Sequence, residues 1–372
     1  MAMDKVIAIT GANGFVGQNV AVRLAEVGYN DIRKITRQTS NADFKAAIAD
    51  ADVVIHLAGA NRPKTSTEFM EINRDFTQKL ISEIANAGTS PTLIYASSTK
   101  ATESNEYGYS KKAAEDVLLK FAKSTQSKVS IFRLPNIFGK WCRPNYNSAV
   151  ATFCYNVARR ADIVINDPTT VLELIYIDDL IDQWLHLINS PPIDSGFILP
   201  ENVYSTSVGD VAESIRGFAS DRDDQMIASV GTGLERALYA TYVAALPPAE
   251  FSYTIPAHSD PRGSFSEMLK TRTSGQFSYF TAFPGVTRGG HYHHTKTEKF
   301  LIVCGEALFR FRQIITGEVH EVRTSADAPT VVETIPGWAH DVTNVGEGVM
   351  VSLLWANEIF DRERPDTIAA KV

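Results

Sequence analysis

The chain has 372 residues, of which 44% are hydrophobic and 21% charged, a globular composition long enough for two domains with separate cores. Its 36 basic and 43 acidic residues leave a net charge of -7, which excludes a broad electrostatic grip on nucleic acid or an anionic membrane but not a local arginine cluster holding one diphosphate. No apolar run is long enough to span a bilayer, the opening MAMDKVIAIT carries no cleavable leader, and Cys142, Cys154 and Cys304 do not form a framework. A cytoplasmic protein with structural thiols is therefore expected.

The run VIAIT reads as a buried parallel strand entering Gly11-Ala-Asn-Gly14-Phe-Val-Gly17, followed by a helix with Val20, Leu24 and Val27 on one face and Gly28 at its end. A glycine turn between strand and helix brings backbone amides to a pyrophosphate, so Gly11, Asn13, Gly14, Phe15, Val16 and Gly17 are the candidate dinucleotide-binding residues. The Gly-x-x-Gly-x-x-Gly spacing resembles that of the extended short-chain dehydrogenases.

The next strand, IRKIT, runs into Arg37, where an NAD site would place an acid for the ribose hydroxyls. A guanidinium there can pair with a 2'-phosphate, which favours NADPH; a solvated surface arginine is the alternative. DVVIHLAG resembles the family's fourth strand, with Leu57, Ala58 and Gly59 passing the adenosine and His56 packing or hydrogen-bonding. TEFMEINRDFTQKLISEIANAG reads as one long helix, and its Asn73 matches an asparagine common in the family.

After the strand LIYASS, Ser98 stands where the family holds the substrate carbonyl, and Tyr107 and Lys111 follow at a helix start. Four residues apart, they share a helix face, and a nearby ammonium is expected to lower the tyrosine pKa toward a useful acid/base range. Tyr109 is offset from that spacing and is not the expected acid, and the loop from Ser98 to Tyr107 is short for an extended member. Further on, the resemblance places Asn136 and Arg143 near nicotinamide or substrate phosphate. YIDDL is expected to start a helix capped by Asp178 or Asp179. SVGDVAESIRGF and the helix through Tyr242 close a domain of residues 1–246, and Pro247-Pro248 marks a linker to a second domain of residues 250–372.

From Phe251 the pattern changes to short alternating strands, as an all-β barrel requires. Asp260-Pro-Arg262-Gly263-Ser-Phe265-Ser-Glu267 resembles an element of the deoxysugar 3,5-epimerases, cupin-shaped enzymes in which Arg262 and Glu267 would meet the nucleotide-sugar; a structural Asp-Arg pair is the alternative. His258 is a proton carrier or a surface residue. In GVTRGGHYHHTKTEKFLIVCG, His291 and His293 stand two apart, which on a strand puts both on one face, with Glu298 as the next run begins. His340 of IPGWAHDVTN can supply a fourth ligand. Three imidazoles and a carboxylate suit one divalent metal such as zinc, manganese, iron or nickel, with room for water or substrate oxygen.

The spacing Gly285-x5-His291-x-His293-x4-Glu298-x6-Gly305 resembles the first cupin motif. The second motif departs from the family, because Pro336 and Gly337 are adjacent and Thr330 stands in place of a glycine. His340 and Asn344 keep their mutual spacing.

Taken end to end, including KWCRPNYNS and WANEIFDRERPDT, the chain resembles the bifunctional CapF-type enzymes of capsular polysaccharide assembly. The resemblance implies a Rossmann-type doubly wound parallel sheet followed by an all-β cupin (jelly-roll) barrel. It also implies NADPH, one divalent metal with zinc the expected ion, a UDP-linked deoxy-aminosugar substrate and a homodimer. The implied chemistry is epimerisation of UDP-2-acetamido-2,6-dideoxy-4-hexulose at carbon 3 in the cupin and reduction at carbon 4 in the first domain, toward N-acetyl-L-fucosamine. Ser98, Tyr107 and Lys111 would be catalytic; His291, His293, Glu298 and His340 would hold the metal. Two rivals remain, a cupin-type oxygenase fused to a reductase, and an NADPH-sensing, sugar-binding regulator.

Overall fold

A computed structural model describes residues 3–63, 65 and 67–372. The chain divides into two compact units, Met1–Ile215 with Thr232–Leu246, and Arg216–Gly231 with Pro247–Val372. Among the described residues no helix is long and apolar enough to cross a membrane.

In the first unit the strands β1 (Met3–Thr10), β2 (Tyr29–Ile35), β3 (Val53–His56), β4 (Thr92–Ser98) and β5 (Val129–Leu134) join Gly196–Ile198 in one sheet of order β2-β1-β3-β4-β5-Gly196–Ile198. Every neighbouring pair is parallel. Such strands are covered on both faces, which explains the unbroken apolar runs: Ile7, Ala8 and Ile9 are all fully buried. Ala8, Val54, Leu93, Tyr95 and Ile131 share a core with Phe44, Ile48, Leu80, Ile84, Leu118 and Phe121 of three helices on one face. On the other face the ring of Phe132, one residue along β5 from Ile131, meets Trp184 of helix Ile177–Asn189 edge-on, centroids 5.9 Å apart. DVVIHLAG thus carries the third strand in chain order, beside β1, the place that the fourth strand takes in the doubly wound order 3-2-1-4-5-6.

Two local expectations are corrected. The helix before β4 is not regular: Thr67–Phe69 runs into a π-helical turn, Met70–Asp75, before the α-helix Phe76–Ala87. Neither Asp178 nor Asp179 caps helix Ile177–Asn189, whose N-cap is Tyr176 without a side-chain hydrogen bond. Asp178 instead pairs with Lys140, and Asp179 with Arg236 at 2.8 Å.

The second unit is a two-sheet β domain. One sheet carries Met226–Ile227, Gly263–Thr271, Gln276–Ala282, Met350–Ala356, Glu298–Cys304 and Val331–Glu333, with His258–Asp260 paired alongside. The other has the order Val319–Ser325, Glu306–Gln313, Trp338–Asn344, Thr287–Tyr292, Ile368–Ala369. Alternate residues face inward: in Gln276–Ala282 every second residue is buried. The ring of Phe300 in the first sheet meets Phe309 of the second edge-on at 5.5 Å, in a core with Phe280, Phe311, Val342 and Met350. Edge strand Met226–Ile227 comes from the segment Arg216–Gly231, so residues ahead of Pro247 belong to this domain too. The architecture is the expected one, a Rossmann-type parallel sheet followed by a cupin-like β domain.

Candidate active sites

The glycine turn in the first unit lies at the carboxyl end of β1, with β2 on one side and β3 on the other, the switch point at which such sheets bind their ligands. Gly11 has φ 71°, and a Cβ there would sit 2.8 Å from the Ala58 nitrogen; one on Gly17 would sit 2.5 Å from the Gly11 oxygen. Only glycine fits either position. Helix Phe15–Glu26 begins after Gly14 with no side-chain cap and no acid in its first turn, so its leading N–H groups remain available to an anion. Asn13, Phe15 and Val16 lie on this turn and first helical residues. Arg37 is exposed just past β2.

Leu57 and Ala58 leave β3 under control of a buried chain of hydrogen bonds. Both backbone nitrogens donate to Thr10 Oγ1, at 3.1 and 3.2 Å, and that hydroxyl lies 2.7 Å from His56 Nδ1. On the far side His56 Nε2 lies 2.8 Å from Thr77 Oγ1, whose proton goes to the Asn73 carbonyl at 2.6 Å. Proton counting fixes the tautomer: Thr77 has spent its proton, so Nε2 carries one, and Nδ1 accepts from Thr10. Burial, with a smaller push from Lys111, lowers His56 to about 3, keeping it neutral and structural.

Ser98 ends β4, and Tyr107 and Lys111 lie on the first two turns of helix Glu106–Ser124, whose N-cap Asn105 accepts from Gly108 N at 2.8 Å. Ser98 stands near enough to Tyr107 to counter part of the rise in its pKa, while Tyr109 is 60% exposed. Lys111 is buried; its Nζ donates to the Ala96 carbonyl at 2.7 Å and lies 4.5 Å from the Tyr95 ring centroid. The expected lowering of the Tyr107 pKa is not found. Burial raises it, with Ser98 opposing, and the phenol keeps its proton. Burial also lowers Lys111 to about 7, against Glu115, so the ammonium itself is disfavoured where it was to favour phenolate.

Sequence reasoning missed Glu115. Fully buried one turn beyond Lys111, it accepts from Arg133 Nε and Nη2 at 3.0 and 2.7 Å and from the Ser97 hydroxyl at 2.6 Å. The i+4 spacing from Lys111 was its one signal. Asn136 is exposed and donates to the Glu173 carbonyl at 3.4 Å, while the exposed Arg143 guanidinium lies 5.3 Å from the Tyr146 ring centroid. Arg62, which the sequence did not single out, lies 5.9 Å from the same ring.

In the second unit His291, His293, Glu298 and His340 come together, their ligand atoms all within 4.8 Å of one another. His291 and His340 face each other as register partners of one antiparallel pair, His293 lies one residue past the end of strand Thr287–Tyr292, and Glu298 opens a strand of the opposite sheet. Glu298 Oε2 is 3.3 Å from His293 Nε2 and 3.4 Å from His340 Nε2, a buried nitrogen with no hydrogen-bond partner among the described residues. Burial, then the His340 and His293 rings, lower His291 to about 4. Burial raises Glu298, but the neighbouring His293 and His340 outweigh it and hold the carboxyl well below its usual range. An ionised carboxylate among inward-facing imidazoles, one with an orphan nitrogen, fits a divalent metal of the zinc type.

Arg262 and Glu267 have other partners. Arg262 is paired with Asp260 at 2.6 Å and is exposed, while Glu267 lies 3.8 Å from Lys270. Asn344 of the second motif is buried, donating to the Ala282 and Gly348 carbonyls at 2.9 and 2.8 Å.

Comparison with known proteins places both units. Residues 7–195 match the NAD dependent epimerase/dehydratase family and residues 258–368 the polysaccharide biosynthesis C-terminal domain. A UDP-2-acetamido-2,6-beta-L-arabino-hexul-4-ose reductase of Pseudomonas aeruginosa is 49% identical over 366 residues, 98% of each chain. The crystal structure of the capsular polysaccharide assembling protein CapF from Staphylococcus aureus superposes with a TM-score of 0.92 at 38% identity, covering 98% of this chain and 100% of that one. A Thermus thermophilus UDP-glucose 4-epimerase, at 15% identity and a TM-score of 0.53, covers 64% of this chain and 98% of its own and shares the fold alone. The chain belongs to the NAD dependent epimerase/dehydratase family, whose fold implies a nicotinamide cofactor.

Proposed function

From that membership we propose that this is a bifunctional nucleotide-sugar enzyme of capsular or O-antigen synthesis. Its β domain epimerises UDP-2-acetamido-2,6-dideoxy-4-hexulose at carbon 3, and its α/β unit reduces carbon 4 with NADPH to UDP-2-acetamido-2,6-dideoxy-L-talose. The observation that carries this reading is the pairing, in one chain, of a Ser98–Tyr107–Lys111 set with a second, metal-competent centre. The reductase named above, matched over nearly its whole length, supports it.

One ketone serves both steps, because a carbonyl at carbon 4 acidifies the proton on carbon 3 and accepts hydride. A reduced nicotinamide cofactor, its pyrophosphate held by the glycine turn from Gly11 to Gly17, would supply the hydride. Ser98 holds the carbonyl oxygen, and the protonated Tyr107 phenol gives its proton to that oxygen as hydride reaches carbon 4. Lys111 lies beneath, tied to Ala96. Arg37 would take the 2'-phosphate, and Asn136 and Arg143 the substrate. In the β domain His291, His293, Glu298 and His340 would hold the metal, which when bound polarises the ketone and stabilises the enediolate. Arg262 and Glu267 would meet the nucleotide-sugar there.

Removing the metal tests the reading. Chelation should lower the melting temperature of the β domain, whose sheets the ligands join, and leave the α/β unit, with its own core, folded and binding NADPH. The metal-free enzyme should stop consuming NADPH or make a reduced sugar of unchanged carbon 3 configuration, and His340→Gln should do the same. Formation of the epimerised, reduced sugar by metal-free enzyme, read by NMR, would overturn the assignment.

A further inference from the structure

The end of the chain closes on the ligand cluster through Asp366. Its carboxylate accepts from the backbone nitrogens of His294, Thr295 and Lys296 at 2.9, 2.7 and 2.9 Å and from the Thr295 hydroxyl at 3.1 Å. Burial raises this carboxyl, but the three backbone donors prevail and hold it well below the usual range. Its backbone carbonyl meanwhile accepts from His293 Nδ1. The neighbouring residues extend the strap: Lys296 Nζ donates to Thr367 Oγ1 at 3.3 Å and lies 5.1 Å from the Phe360 ring centroid. Ile368 and Ala369 then pair with Tyr292 and His291, and Ala370 N donates to the Gly290 carbonyl at 2.9 Å.

A carbonyl can only accept, so Nδ1 of His293 must carry a proton. Nε2 is thereby left as the coordinating nitrogen, aimed at Glu298 Oε2 3.3 Å away. A lone pair facing a carboxylate at that range calls for a positive charge between them, a metal ion or a second proton. His293 lies one residue beyond its strand, where the ladder has ended and Gly337 N, donating to the His293 carbonyl at 2.9 Å, holds one side of its backbone. The turn clamped by Asp366 supplies what the strand does not.

We infer that Asp366 is the positioning residue of the metal centre: its carboxylate locks the turn at 294–296 so that its own carbonyl can hold His293 with Nε2 presented to the metal. The inference rests on the reading of the cluster as a divalent-metal site. It assigns the chain's last segment a part in the epimerase centre, although none of its residues is a ligand.

The test uses the full chain with zinc as probe. Asp366→Ala should weaken zinc about 10- to 100-fold in competition with a chromophoric chelator, and Asp366→Asn, which keeps one acceptor oxygen, should fall between. In 15N-histidine-labelled protein the His293 Nδ1–H, identified by its loss in His293→Gln, should be a protected downfield resonance in wild type and vanish by exchange in Asp366→Ala. Wild-type zinc affinity together with an intact Nδ1–H signal in Asp366→Ala would overturn the inference. Should the wild type bind no zinc, the metal reading fails, while the Nδ1–H comparison in metal-free protein still decides whether Asp366 fixes His293. Should Asp366→Ala not fold, the same two measurements on Asp366→Asn decide it.

Discussion

Asn73 Nδ2 donates to Ser110 Oγ at 2.8 Å, tying the π-helical turn to the helix that carries Tyr107 and Lys111. The same side chain accepts from Ala60 N at 2.8 Å and donates to Ala60 O at 3.1 Å, so it fixes the loop beyond β3 as well. Asn73→Ala should leave buried groups unpaired and cost about 1–3 kcal/mol in urea unfolding. Turnover of the 4-keto sugar should fall with it; unchanged stability and turnover would show that water replaces the amide.

Tyr107→Phe deletes the phenol proton and leaves the ring against Phe69, 5.7 Å between centroids. It should abolish NADPH oxidation yet leave solvent deuterium exchange at carbon 3 of the sugar intact. Loss of both in a folded variant would contradict separate catalysts.

Lys111 sets a pH signature. Burial lowers its folded pKa to about 7, against about 10.4 in an unfolded chain. Between those values the unfolded chain binds more protons, so stability rises with pH through this window. The cost of burying the ammonium is full below pH 7 and relieved above it. Lys111→Met should therefore gain most over the cofactor-free wild type at pH 7 and below, and progressively less toward pH 10. A pH-independent difference in unfolding free energy would refute this.

Arg37 follows β2 in the run Lys34-Ile35-Thr36-Arg37-Gln38, which has no acid to compete for a phosphate. A charge-assisted contact is worth about 1.5–3 kcal/mol, or roughly tenfold or more in affinity. NADPH should bind tighter than NADH by that factor, and Arg37→Ala should level them. Equal affinities in the unmutated protein would leave Arg37 a surface residue.

What could be read in the sequence is what short spacing encodes. The glycine turn, the Tyr107–Lys111 pair and the His291, His293, Glu298 set lie within a turn or strand of one another, and His340 stood out by its own motif. Partners chosen across the fold could not be read. Asp366 clamps a turn some seventy residues earlier, and Arg133 reaches Glu115 from another element. The Asp178 and Asp179 cap failed because opposite charges, Lys140 and Arg236, offered both carboxylates something stronger than a backbone N–H. The Tyr107 pKa went the other way because desolvation, invisible in a sequence, outweighs a charge expected from spacing.

The β domain's edge strand Met226–Ile227 precedes the segment Thr232–Leu246, which belongs to the first unit. During synthesis, therefore, the α/β unit is complete once Leu246 has emerged, while the β domain already has one strand out and the rest still to come. Met226 and Ile227 leave the ribosome before the last helix of the α/β unit and must wait for Lys270 and Thr271 to pair with them. A nascent chain stalled near Pro247 would present Met226 and Ile227 without the strand that pairs with them.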